Sequence, residues 1–89
     1  MKHSYLEVTC RKDRPLAAYY YLPRQDGDKS VRTERVHGGF LVDFSSDGRP
    51  IGIEISSPSR FELLALNEAL VSLGQEPVRA EDFSPLLAA

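Results

Sequence analysis

Asp47-Gly48 stands between two apolar runs in the segment GGFLVDFSSDGRPIGIEISS, residues 38–57. Asp-Gly favours a two-residue loop of the mirror-image turn type. In that register Ser46 faces Arg49, Phe44 faces Ile51, Val42 faces Ile53 and Phe40 faces Ile55. All six apolar side chains then share one face. A slip of one residue would set Phe44 against Pro50 and scatter them, so the hydrophobic pattern selects the two-residue loop. Pro50, which has no N–H to give, marks the second strand as a sheet edge at least near that residue. Asp43 and Glu54 fall on the opposite face. Asp43 sits across from Gly52, whose missing side chain leaves it room, and Glu54 is its diagonal neighbour about 7 Å away.

The remainder reads as short strands followed by a helix. Leu6, Val8 and Cys10 alternate with Glu7 and Thr9, which predicts a half-buried strand with Cys10 in the core. The cluster Arg11-Lys12-Asp13-Arg14-Pro15 ends it in a solvated basic turn. In LAAYYYL, residues 16–22, the residues Leu16, Ala18, Tyr20 and Leu22 share one face, while Tyr19 and Tyr21 take the other. SVRTERV, residues 30–36, alternates again, and His37-Gly38-Gly39 supplies a turn. Ser59-Arg60-Phe61-Glu62 fits a capping box and predicts a helix over about residues 60–73, stopped by Gly74 and Pro77. Leu63, Leu66, Ala69, Leu70 and Leu73 form its main apolar stripe; Leu64 and Val71 form a second, narrower one. Either a tail over residues 78–89, carrying Phe83, Leu86 and Leu87, packs on the helix and covers that second stripe, or another subunit does; the tail is the favoured cover.

With 89 residues the chain holds one small domain, read as a sheet-plus-helix unit over residues 1–77 plus the tail. A 42% hydrophobic share beside 27% charged residues is ordinary for a globular chain and argues against disorder. The net charge of −2, with both signs mixed along the chain, argues against a protein built to grip phosphate backbones. Cys10 is the single cysteine, so no internal disulfide can form. His3 and His37 are too isolated for a metal site. The N-terminus lacks the apolar core of a signal peptide and no stretch is long enough to cross a bilayer, which predicts a cytoplasmic location with no membrane contact.

The stretch Gly39 to Ser59 resembles a small bacterial family, domain of unknown function family 2283. The likeness rests on Gly39, the run FLV, Asp43, the turn Asp47-Gly48 and Gly52-Ile53-Glu54-Ile55, with Ser59 following. Ala18 to Leu22 is similar to that family's Leu-Tyr-Ile-x-Leu strand. Lys12 and Leu16 depart from the acids the family often places before its second strand, and the long helix and tail lie outside the family core. The resemblance implies a small sheet-plus-helix fold and an interaction role, with antitoxin-type members among its relatives. It carries over no catalytic residue and no cofactor.

Two groups of residues are candidates for function. Asp43 and Glu54 could work as paired carboxylates or hold a divalent cation. The competing structural reading pairs Asp43 with Arg32 on the neighbouring strand, with Glu34 opposite Leu41, in a surface ion pair worth at most about 1 kcal/mol. Tyr19 and Tyr21, joined by Tyr5 and Leu41, would make an aromatic patch on the open sheet face, suited to a protein interface. Base stacking is a weaker alternative, disfavoured because no basic face accompanies the rings. Asp47, Gly48, Gly52 and Ser59 are read as structural.

The expected fold is α+β: an antiparallel meander of about five strands, largely in sequence order, with one face covered by the helix. The expected function is a non-enzymatic interaction module, antitoxin-like, contacting a protein partner or a second copy through the tyrosine face, through the edge strand after Pro50, or through Leu64 and Val71. The alternatives are a metal- or ligand-binding protein or small enzyme using Asp43 and Glu54, and RNA binding on Tyr19 and Tyr21.

Overall fold

A computed structural model of the chain describes residues 3–36 and 38–87. His37, expected in a turn, lies outside the described residues. Five strands form one antiparallel sheet: β1 (Tyr5–Arg11), β2 (Arg14–Tyr21), β3 (Arg32–Arg35), β4 (Leu41–Phe44) and β5 (Pro50–Ile55). A helix α1 (Leu63–Ser72) and a short terminal helix α2 (Ser84–Leu87) follow. The fold is α+β, as the alternation and the helical stripe predict.

Strand order departs from sequence order in one place. The sheet runs β1-β2-β5-β4-β3, so β2 pairs with β5 and not with β3. A two-strand hairpin is thereby docked on one side of a three-strand meander. The consequence for β5 is direct: it is the central strand, not an edge. Its pairing with β2 spans only Gly52 to Ile55, so only its first residues run beyond β2. Pro50 lies in that overhang, which tolerates a residue without an N–H.

Both hairpin loops differ from the simplest expectation. The two-residue mirror-image turn belongs to β1–β2, where Lys12 and Asp13 hold φ of 51° and 63° between the paired Arg11 and Arg14. Residues 46–48 instead make a three-residue loop. The Ser45 N–H donates to the Arg49 carbonyl at 2.9 Å, and the Gly48 N–H donates to the Ser45 carbonyl at 3.0 Å. Gly48 takes φ +87°, the left-handed position this loop requires. Phe44 therefore does sit opposite Pro50, and a bulge at Ile51 restores the expected register, Asp43 to Gly52 and Val42 to Ile53.

The six apolar hairpin residues are all buried, but not all together. Phe40, Val42, Phe44, Ile53 and Ile55 join the core under α1, whereas Ile51, displaced by the bulge, is buried apart from that cluster. On β3 the pairing is Thr33 opposite Asp43 and Arg32 opposite Phe44, one residue away from the expected Arg32–Asp43 pair. Arg32 forms its ion pair with Glu34 and lays its guanidinium 4.5 Å from the Phe44 ring centroid.

The helix begins later than the capping box predicts. Pro58 opens a 3-10 turn over Pro58–Arg60, and Phe61 then returns to extended backbone. Helix α1 restarts with Glu62 as its N-cap residue, without a side-chain cap. Ser59 is thus an exposed turn residue and caps nothing. The C-terminus behaves as expected: Gly74 at φ +75° lets the Gln75 N–H reach the Leu70 carbonyl and its own N–H reach that of Val71.

Leu66, Ala69 and Leu70 press the main stripe of α1 onto the sheet. Asn67 ties down the start of the tail, donating from Nδ2 to the Val78 carbonyl and accepting the Val78 N–H on Oδ1. The tail then inserts Phe83 and Leu86 into the core. The Phe83 ring stacks on Phe61 and meets Tyr20 edge-on at 5.1 Å between centroids. It does not cover the second stripe: Leu64 and Val71 remain 72% and 61% exposed. The tail is used up filling the sheet–helix gap instead. Two other residues expected inside, Cys10 and Leu16, are exposed. The β1–β2 hairpin runs past the end of β5 there, since its pairing with β5 begins only at Ala18.

Candidate functional site

The outer sheet face carries the residues that the alternation assigns to it. Across the strands, Tyr19 is opposite Glu54, Tyr21 opposite Gly52, Gly52 opposite Asp43, and Glu54 opposite Leu41. Side chains at paired positions share a face, so these six positions, together with Tyr5 opposite Tyr21, define one surface.

At its centre Tyr19 crosses β5. Its hydroxyl donates to Asp43 Oδ2 at 2.7 Å, although the whole of β5 lies between their strands. The route passes over Gly52, where a Cβ atom would lie 1.9 Å from the Tyr19 hydroxyl oxygen. The empty position at 52 therefore admits the Tyr19 ring, not the Asp43 side chain as the sequence suggests. Thr33 closes the other side of the carboxylate, its hydroxyl donating to Asp43 Oδ1 at 2.5 Å.

Electrostatics follow from this enclosure. Burial works to raise the Asp43 carboxyl, but hydrogen bonds from Thr33, Tyr19 and Ser30 and the charge of Arg24 outweigh it and hold the group below the usual carboxylate value. The Tyr19 hydroxyl moves the other way, pushed up by burial and by its bond to the Asp43 anion. Asp43 is thus an ionised acceptor whose two oxygens already hold hydroxyl donors. Glu54 projects as an exposed side chain on the same face. No group of three metal-ligating side chains is assembled among the described residues.

The tyrosines form a connected patch. Tyr5 stacks on Tyr21 with centroids 4.4 Å apart and planes 16° from parallel, and Tyr19 meets Tyr21 edge-on at 4.7 Å. Arg24, which the sequence offered no reason to single out, holds the patch from the side. Its guanidinium donates to the Ile51 carbonyl at 2.8 Å and stands 5.1 Å from the Tyr21 ring centroid. Beside it lies a shallow depression of about 340 Å³, with Ile51 and Ser30 in its lining. The bulge that diverts Ile51 from the core puts it here.

A second polar assembly lies at the hairpin end. Arg49 grips Asp28 with both terminal nitrogens, at 2.7 and 3.1 Å, and donates from Nε to Asp47 at 2.8 Å. Ser45 donates to the other oxygen of Asp47. The Arg49 and Ser45 donors hold Asp47 at about 2. Asp28 is likewise lowered by Arg49, helped by the Gln25 N–H. Asp47 was expected as a turn former; its role also includes fastening the loop after β2 through Arg49.

The sequence placed Tyr5, Tyr19, Tyr21 and Leu41 correctly on one face, and the structure brings the three tyrosines into contact. It places Leu64 and Val71 elsewhere, on the exposed side of α1. Thr33 and Arg24 escaped notice because one depended on the β3 register and the other lies in a loop with no periodicity. No helix among the described residues is long and apolar enough to cross a membrane. Comparison of the chain with protein-family models, with curated proteins and with solved structures returns no match.

Proposed function

We propose that the protein is a non-enzymatic interaction module whose outer sheet face receives a protein partner. The observation that carries this reading is the stacked Tyr5–Tyr21 pair, buttressed by Tyr19 and Arg24. Tyrosine and arginine are the residue types enriched where binding energy concentrates in protein interfaces. Here the rings are already held against one another, so docking would freeze few additional rotamers. Glu7, Glu54 and Asp43 on the same face oppose phosphate, which favours a protein partner over RNA. Asp43 spends both oxygens on internal hydroxyl donors, which favours an architectural role over metal or acid–base work. The hairpin's likeness to family 2283 supports the finer reading, an antitoxin-like protein that masks the surface of a small partner.

Affinity capture from the native cells, followed by identification of a stoichiometric partner by native mass spectrometry, tests the proposal. Replacing Tyr5 and Tyr21 together by alanine should abolish capture while the protein stays folded. Recovery of a partner undiminished by that double substitution would place the contact on another surface and overturn the reading.

A further inference from the structure

The two edges of the sheet are built differently. Edge strand β3 has four residues, Arg-Thr-Glu-Arg, all exposed and three of them charged, with an ion pair closed between Arg32 and Glu34. Short, charged edges of this kind resist pairing with other strands. Edge strand β1 has seven residues, Tyr-Leu-Glu-Val-Thr-Cys-Arg, with no proline. The one irregularity in the β1–β2 ladder is taken up on β2. Thr9 pairs with Ala17 and Cys10 with Pro15, which leaves Leu16 as the extra residue and β1 unbroken.

The phase of the ladder says which β1 groups are open. The Leu22 N–H donates to the Ile51 carbonyl, so the even-numbered residues of β2 bond toward β5 and the odd-numbered ones toward β1. Tyr5, Glu7 and Thr9 are the β1 residues opposite those odd positions. Leu6 and Val8 consequently turn their backbone N–H and C=O groups outward, away from the sheet. Their side chains lie half-buried against the core, and the sulfur-bearing Cys10 beyond them is exposed.

We propose that β1 is the docking edge for a second copy of this chain, joined antiparallel across a two-fold axis at Thr9. The strand is complementary to itself in that arrangement. Glu7 of each copy faces Arg11 of the other, Val8 faces Cys10, and Thr9 faces Thr9. Opposite charges directly across strands stabilise a pair, and like charges there destabilise it. Centring the axis at Glu7 would instead oppose two carboxylates. The Thr9 axis keeps even residues on the helix side and odd residues on the open side, so the two sheets continue as one. The outward groups of Val8 gain partners, and Val8 and Cys10 cover each other's exposed flank.

The test is sedimentation equilibrium of the full chain with charge-swapped variants. The wild type should be a dimer in the micromolar range. Glu7→Arg sets Arg against Arg across the axis, and Arg11→Glu sets Glu against Glu, so each variant alone should be monomeric. An equimolar mixture of the two restores both opposite-charge pairs and should dimerise again. Val8→Pro, which removes an outward N–H without touching the β2 ladder, should also be monomeric, with circular dichroism confirming its fold. A wild type that stays monomeric throughout, or a dimer that survives Glu7→Arg, Arg11→Glu and Val8→Pro alike, would overturn the proposal. A dimer lost only on Leu64→Glu/Val71→Glu would move the interface to α1 and do the same. None of these results bears on capture of a different protein by Tyr5 and Tyr21.

Discussion

The phenol of Tyr19 occupies the space in which a side chain at Gly52 would stand. Any substituent there must swing the ring away and break its bond to Asp43. Gly52→Ala should therefore cost about 2–4 kcal/mol, the range for losing a charge-assisted hydrogen bond together with an aromatic edge contact. Urea unfolding measures it. In a Tyr19→Ala background the same glycine substitution should cost much less, because the obstruction is gone.

Tyr19→Phe keeps the ring and removes only the donor. Asp43 then keeps Thr33 but loses one of the bonds that favour its charged form, so its carboxyl should titrate higher than in the wild type. A carbon-detected NMR titration of the Asp43 side chain reads this shift. An unchanged titration would mean that the Tyr19 hydroxyl does not act on Asp43 in solution.

The Arg49 clamp predicts a defined acid limb. Asp47 at about 2 and the lowered Asp28 lie below the unfolded carboxylate value, so their contribution is present above that value and lost as the pH falls through the folded one. Stability should hold from neutral pH to about 4 and then decline toward about 2. Arg49→Gln should lower stability at neutral pH and flatten this limb. Urea midpoints measured against pH give both.

The tail is part of the core. Phe83 is fully buried between Tyr20 and Phe61, so Phe83→Ala should cost about 3–5 kcal/mol. Leu64→Ala and Val71→Ala, on the exposed side of the same helix layer, should each stay within about 0.5 kcal/mol. Thermal melts of the three variants separate the two surfaces.

What was legible in the sequence follows from periodicity. The alternation in FLVDF and IGIEI placed Val42 and Ile53 opposite each other at the centre of the sheet, because a slip there would expose the whole apolar set. It could not reveal the three-residue loop, since the bulge at Ile51 cancels the slip before it reaches Val42. Strand order was misread for a related reason: nothing local says that β2 passes β3 to reach β5. The tyrosine face was visible from alternation alone. Its fastening by Thr33, Arg24 and the void at Gly52 depends on strand neighbours, which one sequence does not disclose. The capping box failed because Pro58 started a 3-10 turn one residue before Ser59.

The strand order also divides the outer face between two pieces of chain. The β1–β2 hairpin and the β3–β4–β5 meander each close through short loops, which form quickly and at small entropic cost. Joining Ala18 to Ile55 and Tyr21 to Gly52 brings together the two pieces from distant parts of the chain. That seam is where the Tyr19 ring crosses to Asp43 and where Arg24 meets the Ile51 carbonyl. The contacts that fasten Tyr19 to Asp43 and Arg24 to Ile51 thus need both pieces in place. The three rings belong to the β1–β2 hairpin alone, but their anchorage to the rest of the sheet exists only in molecules whose two halves have joined.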